Sequence, residues 1–424
     1  MVIMPDRILV IGAGITGLFT TLYLSENGYD VTLVDRGDIS GGTSGKFHGM
    51  IHSGSRYSTN DIESARECIG ENAKFYGMAS DFIDNTGGYF VALNDDEEKF
   101  GDRIMEGNRK CGIETLEVDP QIFLRDIEPR VSKNARRVFR VPDKVVHSYE
   151  ISVAVAAESV MKSAKIFTYS SIKPKEDGSV TISDGTNTRN ENFDTIINTA
   201  GPWAGNVSEM FGSDELKIMP TLGYMVVYQS RFVNSVINRM RPPSDGDIFV
   251  PYGGSTILGT LAIVTDDPDN PQVEEEDIKD MVEEGKLLIP GIAGIKYSRT
   301  YYSSRPLIED SSGNARSTTR DFKIMQSSEN SKLISVAGGK FTTGRLMGEE
   351  ILKTVCSRNG DSFSVPDLDL NSSYSKFLEK FGSGKYSRIL RSIQGRTGTI
   401  DQERILPSVS AVIDSMIDEI SWKS

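Results

Sequence analysis

Gly12, Gly14 and Gly17 stand in the order G-x-G-x-x-G within Gly12-Ala13-Gly14-Ile15-Thr16-Gly17, and Asp35 follows Gly12 by 23 positions. Glycines and a carboxylate at that spacing suit a dinucleotide's pyrophosphate and ribose. Gly12 permits a sharp turn, Gly14 lets the backbone approach the pyrophosphate, and Gly17 lets a helix pack close to the strands. The first helical N–H groups, at Ile15 and Thr16, then meet the phosphates with the positive end of the helix dipole. Asp35 would accept from the adenosine ribose hydroxyls, and no base replaces it to favour a 2′-phosphate; Arg36 beside it could stack on adenine. A lone glycine motif is often only a glycine-rich turn. Here strand, turn, helix, strand and acid follow one another in order, which favours the dinucleotide.

A glycine-rich loop and two further glycine turns decide which dinucleotide. Gly41-Gly42-Thr43-Ser44-Gly45-Lys46-Phe47-His48-Gly49 runs on to His52, Arg56 and Tyr57, a glycine-rich, hydroxyl-bearing and basic loop that can lie along a flavin's phosphates and ring. The apolar run Thr195-Ile196-Ile197-Asn198 breaks into Thr199-Ala200-Gly201-Pro202-Trp203, and Ile334-Ser335-Val336-Ala337 into Gly338-Gly339-Lys340-Phe341-Thr342. Three such turns fit one extended cofactor, and FAD is long enough to need them. The expected FAD contacts are therefore Gly12, Gly14, Ile15, Thr16, Gly17, Asp35, Arg36, Gly42, Thr43, Ser44, His48, Gly49, Ala200, Gly201, Trp203, Gly338, Gly339, Lys340, Phe341 and Thr342. His48 and His52 lie four apart, the spacing of a helical metal pair, but the glycines around them oppose a helix and no acid is near. They read as flavin or substrate contacts, with no metal expected. His147 reads as a structural or rim histidine.

The elements that must position these residues are scattered. Ile8–Ile11 and Val31–Val34 read as buried parallel strands around a helix that Gly28 stops. Met225–Tyr228, Asp247–Val250 and Thr256–Gly259 read as antiparallel strands, the last two joined at Tyr252-Gly253-Gly254-Ser255, and Glu274–Leu288 as a helix. The fold class expected is α/β (α+β overall): a Rossmann-like FAD-binding domain from 1–80, 145–218 and 301–362, with an antiparallel-sheet substrate domain from 81–144 and 219–300 inserted. Residues 363–424 read as a helical C-terminal appendage, with Ile413, Met416 and Ile417 on helical spacing. The 424 residues are 38% hydrophobic and 25% charged, an ordinary globular balance. A formal charge of −13 opposes binding nucleic acid through bulk electrostatics. The 40 glycines exceed the usual share of about 7%. Cys68, Cys111 and Cys356 form no C-x-x-C pair, which fits a reducing compartment and offers no cluster ligands. With no leader-like start and no apolar run near the ~18 residues of a membrane span, a cytoplasmic protein is expected.

The chain resembles the FAD-dependent glycerol-3-phosphate dehydrogenases of the D-amino-acid-oxidase-like flavoproteins, most closely the catalytic subunit of the anaerobic, quinone-linked enzyme. The carrying stretches are His48-Gly49-Met50-Ile51-His52-Ser53-Gly54-Ser55-Arg56-Tyr57, Glu63 to Ile69, Asn238 to Asp247, Leu258-Gly259-Thr260, Ser304-Arg305-Pro306-Leu307 and Gly338 to Thr343. The resemblance implies that Arg56, Arg305 and Lys340 face flavin and substrate, that Arg320 is a phosphate ligand, and that His52 and Tyr57 line the same pocket. A phosphate monoester near −2 needs two or three cationic donors, and arginine's planar fork suits its oxygens. At Gly223-Tyr224-Met225 the chain lacks the pocket histidine of the aerobic branch. The anaerobic subunits also continue into a cysteine-rich iron–sulfur domain that this sequence lacks.

The expected reaction is oxidation of sn-glycerol 3-phosphate to dihydroxyacetone phosphate by hydride transfer to FAD, with His52, or else a neutral Lys340, as the base. Electrons would pass to a quinone or a partner subunit. Two alternatives stay open: an oxidoreductase of a 2-hydroxy acid or amino acid, and a flavin-bearing subunit silent on its own. Peripheral contact with the inner face of the cell membrane would fall to the basic run Arg130, Lys133, Arg136, Arg137, Arg140 and Lys144 or to the C-terminal appendage; a solvated loop is the plainer reading of the basic run.

Overall fold

The structure, a computed structural model, describes residues 5–308, 321–377 and 379–380. Strand β1 (Arg7–Ile11) enters helix α1 (Ile15–Glu26), which returns to strand β2 (Asp30–Val34). Ile8, Leu9 and Val10 have no exposed surface, as a strand covered on both faces requires. β1 pairs in parallel with β2 on one side and with Thr195–Asn198 on the other. Leu333–Gly338 adds to Thr195–Asn198, and Lys165–Phe167 to β2. An antiparallel strand, Phe322–Gln326, closes the edge of this sheet, six strands wide among the described residues.

The larger sheet has nine strands among the described residues and is the antiparallel layer expected of a substrate domain. Among the described residues its one parallel pair joins Val236–Arg239 to Gly88–Ala92. The hairpin at Gly253-Gly254 is present, with Tyr252 opposite Ser255, and the helix runs Glu275–Leu288. The longest pairing joins Ile218–Tyr228 to Arg299–Ile308, with Gly223 opposite Ser303 and Thr221 opposite Arg305. A boundary at residue 301 therefore cuts through a strand of the substrate sheet. Arg305 thus lies within the substrate sheet, on the last strand before the chain returns to the FAD domain.

Three helices are locked together beneath the cofactor sheet. Arg345 grips Glu71 with Nε and Nη2 at 2.7 and 2.8 Å, and its Nη1 donates to Tyr23 Oη at 3.1 Å and to Glu349 at 2.9 Å. Breaking such a buried pair leaves an uncompensated charge, so the network fixes α1, Ile62–Ala79 and Gly344–Asn359 relative to one another. Within the stretch read as an appendage, Leu370–Phe377 is helical and buries Leu370 and Phe377 in the FAD-domain core. Ile413, Met416 and Ile417 lie outside the described residues.

The basic run is partly tied down, although Arg130, Lys133, Arg136 and Arg140 keep exposed surface. Arg136 pairs with Asp95, Arg137 with Asp102 and Glu117, Arg130 donates to the Arg231 carbonyl, and Lys144 is buried against Asn72. Among the described residues no helix is long and apolar enough to cross a membrane.

Candidate active site

A cavity of about 1330 Å³ opens where the parallel strands end, roofed by the substrate sheet. All three glycine turns reach it. Gly12 has φ +106°, and a Cβ there would stand 2.7 Å from the Thr199 carbonyl oxygen, so only glycine fits between the first and second turns. Thr199 Oγ1 donates to the Ile11 and Gly12 carbonyls at 2.8 and 3.0 Å, tying the two turns together. Gly17 plays the packing role expected of it rather than lining the cavity. Gly49 does not line the cavity either: its φ of +83° makes a turn, and its α-carbon faces the Tyr252 ring. The other expected cofactor contacts all border the cavity.

One group of lining residues gathers around Asp35. Its carboxylate accepts from the Ala13 N–H at 2.6 Å and the Gly37 N–H at 2.7 Å. Burial pushes its pKa above the usual carboxylate range, and these two N–H groups oppose that. Arg36 stacks within the protein rather than outward: its guanidinium lies 4.4 Å from the Trp203 ring centroid and donates to Asp269 at 2.6 Å. Trp203 Nε1 donates to the other Asp269 oxygen at 3.0 Å. No local pattern assigns a role to Asp266–Asp269 or to Tyr169–Ile172, yet both segments border this end of the cavity.

The second group holds the reactive side chains. Arg305 Nη2 donates to Thr260 Oγ1 at 2.8 Å. Gly223, two positions along the neighbouring strand, is the gap that admits it: a Cβ there would come within 2.8 Å of Nη2 and 3.2 Å of Cζ. Arg56 donates to Asn238 at 3.1 Å and to Asp247 at 3.2 Å. Lys340 Nζ donates to Ser64 Oγ at 3.1 Å and lies 5.0 Å from the Tyr57 ring centroid; Ser64 donates onward to Asp321 at 2.7 Å. The His52 ring meets the His48 and Tyr57 rings edge-on, with centroids 5.4 and 5.6 Å away, and its backbone N–H donates to Thr342 Oγ1. Five of the six expected catalytic residues thus border one cavity; the sixth, Arg320, lies outside the described residues.

His48 and His52 flank the short strand Met50–Ile51 rather than sharing a helix, and no His/Cys/Asp/Glu group among the described residues is arranged to hold a metal. His147 precedes the Ser148–Met161 helix and meets Asp84 at 3.3 Å. The three cysteines are free and buried.

Gly223→Ala is expected to leave folding intact, because the atoms that must yield are the tip of a flexible side chain. Displacing the guanidinium by a fraction of an ångström should raise KM about 10-fold or more, since misplacement near 1 Å costs about 10²-fold. Steady-state kinetics alongside thermal unfolding checks this; unchanged KM would show that Arg305 does not grip substrate.

The cavity's shape, its glycine cradles and the buried Asp35 fit FAD. The family model described as FAD dependent oxidoreductase matches residues 7–353. The chain belongs to that family. Relatives of the oxidoreductase include the A1 polypeptide of the anaerobic glycerol-3-phosphate dehydrogenase of Haloferax volcanii, 35% identical over 83% of this chain and 64% of its own length. The corresponding subunit of the Escherichia coli enzyme of that name is 30% identical over 86% of this chain and 69% of its own. The chain thus spans under two thirds of the Haloferax relative. Among solved structures, L-α-glycerophosphate oxidase of Mycoplasma pneumoniae superposes with TM-score 0.71 at 18% identity, over 87% of this chain and 98% of that one. The FAD-bound glycerol-3-phosphate dehydrogenase of Bacillus halodurans gives 0.64 at 20%, over 92% and 75%. These structures share the oxidoreductase's fold.

Proposed function

We propose that this FAD-dependent oxidoreductase oxidises sn-glycerol 3-phosphate to dihydroxyacetone phosphate. The observation that carries the reading is Arg305, set in a gap left by Gly223 and braced by Thr260 at the roof of the FAD cavity. The names of the relatives at 30–35% identity support it. Arg305, with Arg320, would hold the phosphate. Arg56 and Lys340 would orient the glycerol hydroxyls and stabilise charge on the oxygen that loses its proton. His52 is the candidate base, its ring held between the rings of His48 and Tyr57. Bound FAD supplies the hydride acceptor.

A partner subunit or a quinone would take the electrons; the relatives' designation as one subunit of an enzyme supports the former. Docking at the inner membrane face is the less supported route, because Arg136 and Arg137 are already ion-paired and Lys144 is buried, which leaves Arg130, Lys133 and Arg140 as the other exposed members of the basic run.

Anaerobic mixing with glycerol 3-phosphate is expected to bleach the flavin's visible absorbance, with rapid recovery on adding a soluble quinone or dye and slow recovery in oxygen. No bleaching at saturating substrate, or bleaching by a 2-hydroxy acid or amino acid instead, removes the assignment. Fast stoichiometric peroxide formation in air would make the protein an oxidase.

A further inference from the structure

We propose that Asp247, assisted by Asn238, is the positioning residue for Arg56, and that the pair makes Arg56 a directed hydrogen-bond donor rather than a free positive charge in the cavity. The inference rests on the proposed reaction only for the identity of the substrate.

Arg56 follows Gly54 on the FAD-domain side, whereas Asn238 and Asp247 belong to the substrate sheet, in the strand Val236–Arg239 and just before Ile248–Tyr252. The Asp247 side chain has no exposed surface, and that of Arg56 is 10% exposed. Asn238 is also fully buried. One Nη1 hydrogen of Arg56 is donated to Asn238 Oδ1 at 3.1 Å, and Nη2 reaches both Asp247 oxygens at 3.2 and 3.4 Å. Asp247 Oδ2 also accepts the Ser244 N–H at 2.9 Å, which fixes the carboxylate's plane.

A guanidinium has five N–H donors. Asn238 and Asp247 engage both terminal nitrogens from one side and leave Nε–H and the remaining Nη hydrogens for the cavity that Arg56 borders. The buried carboxylate offsets the guanidinium's charge where both side chains are nearly or wholly covered. What remains is direction: a fixed fork aimed at the substrate's oxygens. Asp143, a second buried carboxylate nearby, is taken up by the Ser53 N–H at 2.7 Å and holds the loop rather than the guanidinium.

The test is a double-mutant cycle on the flavin-loaded protein: wild type, Asp247→Asn, Arg56→Ala, and both. The first readout needs no substrate. Arg56→Ala strands a buried carboxylate, so adding Asp247→Asn should raise the melting temperature above that of Arg56→Ala alone. A double mutant that melts lower still would show that the two residues are not paired and would overturn the proposal.

The second readout is the limiting rate of anaerobic flavin bleaching by glycerol 3-phosphate. Asp247→Asn should slow it about 10- to 100-fold with the flavin retained, and should slow it no further in the Arg56→Ala background. A wild-type rate in Asp247→Asn, or multiplied losses in the double mutant, would overturn the positioning role. If wild type itself fails to bleach, the substrate assignment falls, and the melting cycle still decides the pairing.

Discussion

Gly17→Ala is expected to yield protein that purifies with almost no flavin. A Cβ at Gly17 would stand 1.9 Å from the Gly12 carbonyl oxygen and 2.6 Å from Thr199 Oγ1. Neither atom can retreat. The first is backbone in a turn with φ +106°, and the second is committed to the Ile11 and Gly12 carbonyls. Nor can α1 move away as a body, because Phe19 and Leu22 are fully buried and Gly348 of the neighbouring helix sits against Phe19. Overpacking of this kind costs about 1–3 kcal/mol and sometimes more, and here the strain falls on the turn that must face the pyrophosphate. The ratio of flavin to protein absorbance after purification, with melting temperature measured with and without added FAD, tests this. A full complement of flavin would mean that α1 has more freedom than its packing shows.

Arg305→Ala should retain flavin and stability but lose about 30- to 3000-fold in kcat/KM for the phosphate substrate. Truncating one side of a desolvated, hydrogen-bonded charge pair costs about 2–5 kcal/mol, and each 1.4 kcal/mol is about a factor of ten. Arg305→Lys should recover only part of the loss, because an ammonium keeps the charge but not the planar fork. Both variants are read by steady-state kinetics with matched flavin content. Wild-type kcat/KM in Arg305→Ala would move the anion site elsewhere in the cavity.

Residues 7–35 disclose their structure because the constraint is local. Within one turn, Gly12 and Gly17 stand where a Cβ would strike backbone, and Asp35 closes a single βαβ unit, so spacing alone reveals the geometry. The partners that aim the reactive side chains are another matter. Asn238 and Asp247 lie 182 and 191 positions from Arg56, and Asp269 lies 233 from Arg36. Such pairs are created by strand order, which no local pattern carries. Gly223 shows the same limit. The sequence shows that it adjoins no histidine, but its purpose, making room for Arg305, follows only from a register in which Thr221 faces Arg305 and Gly223 faces Ser303. The strand Arg299–Ile308 shows it again: it leads toward the late glycine turn in sequence but pairs with the substrate sheet in space.

The order of strands in the cofactor sheet also bears on how the chain is made. β1 needs Thr195–Asn198 as a neighbour, and that strand in turn needs Leu333–Gly338. At about 5–20 residues per second, a ribosome takes roughly 15 to 65 s to deliver the last of these after the first has emerged. Through that interval the nascent chain holds an apolar parallel edge that nothing yet covers, the kind of surface that seeds association between chains. The substrate sheet, whose strands from Ile218 to Gly259 adjoin in sequence, can assemble meanwhile. Newly made protein should therefore depend on chaperone protection late in synthesis, and its capacity to take up flavin should arrive abruptly, once Leu333–Gly338 has joined the sheet.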